Sequence, residues 1–222
     1  MRERVIETND GIQEELTVEV FDQFARRMRD KGWNSVGTII KSGILSGDVL
    51  EIGPGPGYVG LEWLKQSENS KLTGCEISKS MITMATKNAI EYGFEKRVTY
   101  VEGNAMCMPF AASSFDAVFS NGSLHEWEDP VQVFNEIYRV LKPGGYYCVS
   151  DMRRDVGAFK KWMIYFQTKP KAIRPGFLTS LYAAYTVSEL DDIIKKTKLV
   201  NVNIQNDFFG LYLHGRKTNE KF

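Results

Sequence analysis

From about residue 34 the chain alternates short apolar runs with stretches whose apolar residues return every three or four positions. Asp48-Val-Leu-Glu-Ile52 predicts a strand, with a helix over Tyr58 to Gln66 behind it. Lys71 to Cys75, Val98 to Val101, Phe115 to Phe119 and Tyr146 to Val149 predict four more strands. Between them, Ser80 to Tyr92 carries Met81, Ile82, Met84, Ala85 and Ala89 at helical spacing and stops at Gly93, a favoured helix end. Asp129 caps a further helix that has Pro130 at its first position and Val133, Phe134, Ile137, Tyr138 and Leu141 on one side. Regular strand–helix alternation predicts an α/β fold, a doubly wound and mostly parallel sheet with helices on both faces.

Two regions break the rhythm. Residues 1–33 put a helix, about Val18 to Arg29 and closed by Gly32, ahead of the first strand. Residues 152–185 form a long insertion after the fifth strand. Thr186-Val-Ser-Glu189 then reads as a capping box opening a helix to about Lys196. Val200 to Ile204 and Leu211 to His214 predict two closing strands joined by Gln205 to Gly210. The organisation expected is one domain over 1–222: a helical cap (1–33), a cofactor-binding core (34–151), a lid or acceptor insertion (152–185), and a C-terminal helix with a hairpin (186–222).

Composition narrows the class. Lys plus Arg and Asp plus Glu balance at 28 each in 222 residues, so no global field favours nucleic acid or an acidic membrane. The charged N-terminus lacks the apolar core of a signal peptide, and no stretch has transmembrane length, so a cytoplasmic location is expected. Cys75, Cys107 and Cys148 are scattered and form no CxxC pair. With His125 and His214 as the sole histidines, no metal site is expected.

The candidate chemistry starts at Leu-Glu-Ile-Gly-Pro-Gly-Pro-Gly, residues 50–57. Glycine allows a tight turn and lets a ligand approach backbone with no Cβ in the way. Pro54 and Pro56 stiffen the turn and remove donors, which disfavours pyrophosphate. The GxGxG spacing also differs from the GxGxxG of dinucleotide sites. Glu76 ends the second strand, 19 residues past Gly57, where an acid can accept both hydroxyls of a ribose. Asn104, in Glu-Gly-Asn-Ala after the third strand, offers a side-chain carbonyl to an adenine amino group. Ser120-Asn121-Gly122 follows the fourth strand. All four positions fall at carboxyl ends of strands, the ligand-binding edge of open α/β sheets.

In order and spacing, LEIGPGPG, GCEIS, EGNAMCMPF, FDAVFSNGSLHEW and EIYRVLKPGG resemble the class I S-adenosylmethionine-dependent methyltransferases of the compact, small-molecule type, over roughly residues 45–151. The resemblance implies a Rossmann-like seven-stranded sheet with an antiparallel last strand, and S-adenosylmethionine as cofactor. It implies that Glu51, Gly53, Gly55 and Gly57 line the methionine end and that Glu76 holds the ribose. Ile77, Ala105 and Met106 would meet the adenine, and Asn121 would face the sulfonium. Asn104 stands where the family more often has Asp.

On the acceptor side, His125 is the candidate general base, the alternative being a hydrogen bond within its own loop. Asp151 either faces the acceptor pocket or caps the next segment, and His214 is expected to be structural. Between Asp151 and Pro175, seven basic residues face two acids, with Phe159, Trp162, Tyr165 and Phe166 interleaved. This pattern predicts an amphipathic helix with a core-facing aromatic stripe and a solvated basic face. Read functionally, it is a lid attracting an anionic small-molecule acceptor, an RNA-facing patch, or a membrane-surface helix. The function expected is methyl transfer to a small molecule. The rivals are an RNA or protein methyltransferase, a nicotinamide-dependent oxidoreductase, and a cofactor-binding protein without turnover.

Overall fold

In the computed structural model, which describes residues 4–7, 14–208 and 210–218, seven strands form a single sheet. They are β1 (Asp48–Ile52), β2 (Lys71–Glu76), β3 (Val98–Glu102), β4 (Phe115–Asn121), β5 (Leu141–Met152), β6 (Asn203–Asn206) and β7 (Gly210–Arg216), in the order β3-β2-β1-β4-β5-β7-β6. The pairings from β3 across to β5 are parallel. β7 runs antiparallel to both β5 and β6, so one strand is reversed and six share a direction.

The strands read as unbroken apolar runs because both faces are covered. Val49, Ala117 and Phe119 pack with α2 (Val36–Lys41) and α3 (Tyr58–Leu64), and α4 (Lys79–Glu91) adds Ala89. Their neighbours Leu50 and Val118 point the other way, onto α5 (Pro130–Val140) and α8 (Val187–Ile194). This is the two-residue pleat expressed as two cores. The N-terminal helix α1 (Glu15–Asp30) lies against α3 and α4, with Asp22 accepting from Tyr58 Oη at 2.9 Å and from Asn88 Nδ2 at 3.0 Å.

Local signals fix the element ends as the sequence predicts. Asp129 accepts from Gln132, and Thr186 and Glu189 form a reciprocal capping box, while the cap of α4 is Ser78, a residue the sequence reading did not single out, which accepts from the Met81 N–H. Three readings are corrected. Helix α2 lies within a stretch where the pattern gives no separate helix, one short turn of chain ahead of β1. The penultimate strand spans 203–206 rather than 200–204, because Asn201 takes a left-handed φ of 55° that breaks the extended run. The aromatic stripe of the insertion faces outward: α6 (Ala158–Gln167) has no buried residue and packs on α7 (Arg174–Ala183) rather than on the sheet. Both sheet faces already carry helices, so the insertion has no open apolar surface to cover. Among the described residues no helix is long and apolar enough to cross a membrane.

Candidate active site

β1 sits between β2 and β4, the point where the strand order reverses and where open α/β sheets leave a crevice at their carboxyl edge. The glycine loop fills that position. Gly53, Gly55 and Gly57 take φ of 65°, 52° and 85°, a left-handed path closed to most side chains. A Cβ on Gly53 would lie 2.7 Å from Ser123 Cβ, and one on Gly57 would lie 2.5 Å from Tyr100 Oη. At Gly55 the nearest atom to such a Cβ is Phe21 Cε1 of α1, at 3.5 Å.

Glu76 ties this loop to β2. One carboxylate oxygen accepts the Gly55 N–H and the other the Ser78 N–H, both at 3.0 Å. Burial raises its pKa and these N–H donors oppose the rise. The Ile77 N–H is a third such donor, so the carboxylate keeps one lone pair for an outside hydroxyl.

Glu51 is 2 % exposed, and its side chain lies against Gly60 of α3. A Cβ at Gly60 would collide with Glu51 Oε2. Glu51, Gly74 and Tyr100 stand in register across β1, β2 and β3. The Tyr100 ring occupies the space over Gly74, 2.5 Å from where a Cβ would be. Glu51 Oε2 and Tyr100 Oη are both buried without a hydrogen-bond partner. Burial lifts the Glu51 carboxyl to about 8, against a Gly60 N–H that lowers it and with the Glu76 charge adding to the rise. Sequence reasoning missed Gly60, Gly74 and Tyr100; a glycine inside a helix and another inside a strand were the available signals.

The remaining predicted positions fall along the same edge. Asn104 is exposed and its Oδ1 accepts the Met106 N–H at 2.8 Å, leaving one lone pair for an outside donor. Ala105 and Met106 are half-buried against the α5 side of the core, and Ile77 is also half-buried. Asn121 Oδ1 accepts from Ser150 Oγ at 3.0 Å and from Ser35 Oγ, which anchors the residue between β5 and the start of α2. A loop of bare backbone, a carboxylate with a free lone pair and an unpartnered carboxyl oxygen fit a nucleoside that carries hydroxyls and an ammonium.

His125 lies in a single 3-10 turn, Leu124–Glu126, just beyond β4, two residues after the Ser123 that meets Gly53. Asp151, near the end of β5, accepts the His125 backbone N–H at 2.8 Å, and its Oδ2 lies 2.9 Å from Nδ1. Two positions read singly in the sequence are therefore one dyad. Both are buried, at 4 % and 7 % exposure. Burial by itself lowers the His125 pKa, but the Asp151 charge and hydrogen bond outweigh it and lift the ring to about 9. With Nδ1 held by a carboxylate, the neutral ring keeps its proton there and presents Nε2 as the acceptor.

Nε2 faces carboxylates. Glu7 Oε2 is 3.6 Å away and Glu126 Oε1 3.9 Å. Burial raises the Glu126 pKa, the His125 charge lowers it, and solvent at its 41 % exposed side chain limits the rise. Residues 4–7 form a strap over this region: Arg4 donates to the carbonyls of Ala183 and His125, and Val5 N–H donates to Tyr182 O. The basic residues of the insertion are turned elsewhere. Arg153 pairs with Asp155, Arg154 with Glu189, and Arg174 donates to the carbonyls of Thr168 and Phe166. His214 is in β7, opposite Cys148, and stacks on Tyr212.

A reversal-point crevice with a glycine loop, the Glu76 carboxylate beside it and a buried His125–Asp151 pair at its rim is the geometry of a ligand-binding edge in an open α/β domain. Residues 50–149 match the methyltransferase domain family. The chain is 34 % identical over 122 residues to the uncharacterized methyltransferase YdaC of Bacillus subtilis, covering 54 % of this chain and 65 % of that protein. It is 32 % identical over 112 residues to the erythromycin 3''-O-methyltransferase of Saccharopolyspora erythraea, covering 50 % and 37 %. A Methanococcus maripaludis structure assigned to the S-adenosyl-L-methionine-dependent methyltransferases superposes with a TM-score of 0.77 at 22 % identity, over 98 % of this chain and 99 % of the other. Over its core the chain is similar in sequence to the methyltransferase domain family, and over nearly its whole length it has the fold of the Methanococcus structure. It spans less than two thirds of the length of the curated relatives it matches.

Proposed function

We propose that this chain methylates a small-molecule acceptor, using His125 to take the acceptor's proton. S-adenosylmethionine supplies, when bound, an electrophilic methyl group on a sulfonium. The chain's own residues bind and orient it: Glu76 at the ribose hydroxyls, the 53–57 loop at the amino-acid tail with Glu51 beneath it, and Ile77, Asn104, Ala105 and Met106 around the adenine. Asn121, anchored by Ser150, faces the reacting region. Alignment of nucleophile and methyl carries much of the rate in such a displacement, so the remaining task is deprotonation.

The observation that carries this reading is the His125–Asp151 dyad, 2.9 Å apart and joined to the glycine loop through Ser123 on Gly53. Asp151 holds Nδ1, and Nε2 receives the proton of a hydroxyl or amine. Carboxylates at 3.6 and 3.9 Å from Nε2 favour a neutral or cationic acceptor over the anionic one the insertion's composition suggests. The relative of known acceptor, the erythromycin enzyme, is named for a small molecule, which supports the same class.

The test is incubation with methyl-labelled donor and a whole-cell extract that is then separated into small molecules, RNA and protein, with products identified by mass. Label is expected in a compound of low molecular mass bearing a methylated oxygen or nitrogen, and His125→Ala is expected to abolish it while donor binding by calorimetry stays intact. Label confined to RNA or protein would overturn the reading.

A further inference from the structure

Helix α6 presents three aromatic rings to the outside of the molecule. Phe159, Trp162 and Phe166, spaced to share one helix face, are 73 %, 58 % and 51 % exposed. They pack on one another, Phe159 with Trp162 at 6.2 Å between centroids and Trp162 with Phe166 at 4.9 Å, making one continuous apolar patch. Isolated exposed apolar residues need no account, whereas a contiguous patch marks a contact surface.

Charge around the patch is segregated. The chain as a whole balances at 28 and 28, but from Val156 to Ser188 it has five basic residues and no acid. Lys169 and Lys171 are exposed just past the end of α6. Lys160 rides over the Phe208 ring at 3.8 Å, and Arg174 lies 5.6 Å from the Phe166 centroid.

We propose that α6 and the Lys169–Lys171 turn dock this enzyme on an anionic lipid bilayer, the three rings entering the headgroup boundary and the lysines meeting lipid phosphates. Aromatic side chains favour that boundary, and basic residues at its edge are attracted to anionic headgroups. A second copy of the chain suits the patch less well, since a two-fold contact sets each acid-free basic stretch against its own like charges. RNA also suits it less well: stacking platforms space separate ring faces for successive bases, and here the rings are gathered 4.9 to 6.2 Å apart into one patch. The same insertion continues into α7, which packs on the turn carrying His125, so the docked face belongs to the acceptor side of the molecule.

The test uses the full chain with extruded vesicles of phosphatidylcholine alone and of phosphatidylcholine mixed with phosphatidylglycerol, read by co-sedimentation. Binding to the mixed vesicles is expected, with little to the neutral ones, and added salt should weaken it. The triple variant Phe159→Ser, Trp162→Ser, Phe166→Ser is expected to lose at least about tenfold in vesicle affinity, as burial of three rings requires. Lys169→Glu with Lys171→Glu is expected to lose at least about fivefold per lysine and keeps the test open if the aromatic variant fails to fold. Donor binding by calorimetry should be unchanged in both. No binding to mixed vesicles, or binding that survives both sets of substitutions, overturns the proposal. So does a concentration-dependent dimer that the aromatic variant abolishes, or single-stranded RNA binding without vesicle binding.

Discussion

His125 shows how far a neighbour can move one residue's chemistry. Alone in its burial it would titrate below an ordinary imidazole; beside Asp151 it holds its proton to about 9. The neutral, proton-accepting form is then scarce near pH 7, so the rate of methyl transfer should climb with pH until about 9. Asp151→Asn removes the largest charge opposing burial, and the midpoint of that limb should move down from about 9, with Glu126 and Glu7 still holding part of the rise. His125→Ala should lower kcat by about 10²–10⁴. A pH–rate profile of the three proteins checks both statements; a limb unmoved in Asp151→Asn would remove His125 from the chemistry. Glu51 behaves oppositely in function. Its carboxyl, lifted to about 8, is mostly neutral at pH 7 and binds its proton more tightly folded than unfolded. Its contribution to stability is therefore full below the unfolded value of 4.5 and is lost as pH rises through about 8. Glu51→Gln should flatten this loss, giving a melting temperature that changes less between about pH 5 and 9 than that of the wild type.

At the scale of elements, helix starts were legible because capping is local chemistry. Asp129 with Pro130 and the Thr186–Glu189 box each satisfy N–H groups within three residues, so residue types alone reveal them. Thr186→Ala should lower unfolding stability by about 1 kcal/mol in urea titrations. Glu189 has a second role that its sequence neighbours do not show: its carboxylate also meets the buried guanidinium of Arg154, 35 positions away. That hydrogen bond, helped by the Thr186 N–H, holds its pKa down to about 2. The stabilisation is present above 4.5 and disappears as pH falls through about 2, so Glu189→Gln should trail the wild type at neutral pH and converge with it in acid. Helix α6 went the other way. Its 3.6-residue aromatic period was read correctly, but a period names a face and not the side on which that face lies. Whether a core waits on that side depends on the other elements, and here they have already closed it.

For the whole molecule, the N-terminal helix packs on α3 and α4 beside the glycine loop. Asp22 bonds Tyr58 and Asn88, and Phe21 Cε1 would lie 3.5 Å from a Cβ placed on Gly55. Removing residues 1–30 should weaken donor binding by about tenfold, roughly 1.4 kcal/mol, in calorimetry. Phe21→Ala tests the same contact with less disturbance to folding, and unchanged affinity in both would dispose of a role for α1. The strand–helix alternation was sufficient by itself to specify a mostly parallel sheet, and the glycine turn and the acid 19 residues beyond Gly57 marked its carboxyl edge as the candidate ligand side. Those features are written in short-range periodicity, steric freedom and topology rules that act along the chain. What they could not specify was pairing across it. That Asp151 serves His125, that Tyr100 fills the space over Gly74 toward Glu51, and that three rings of α6 face outward depend on which strand lies beside which and on what each face already covers. Such contacts join positions tens of residues apart through packing, and only the tertiary structure decides them.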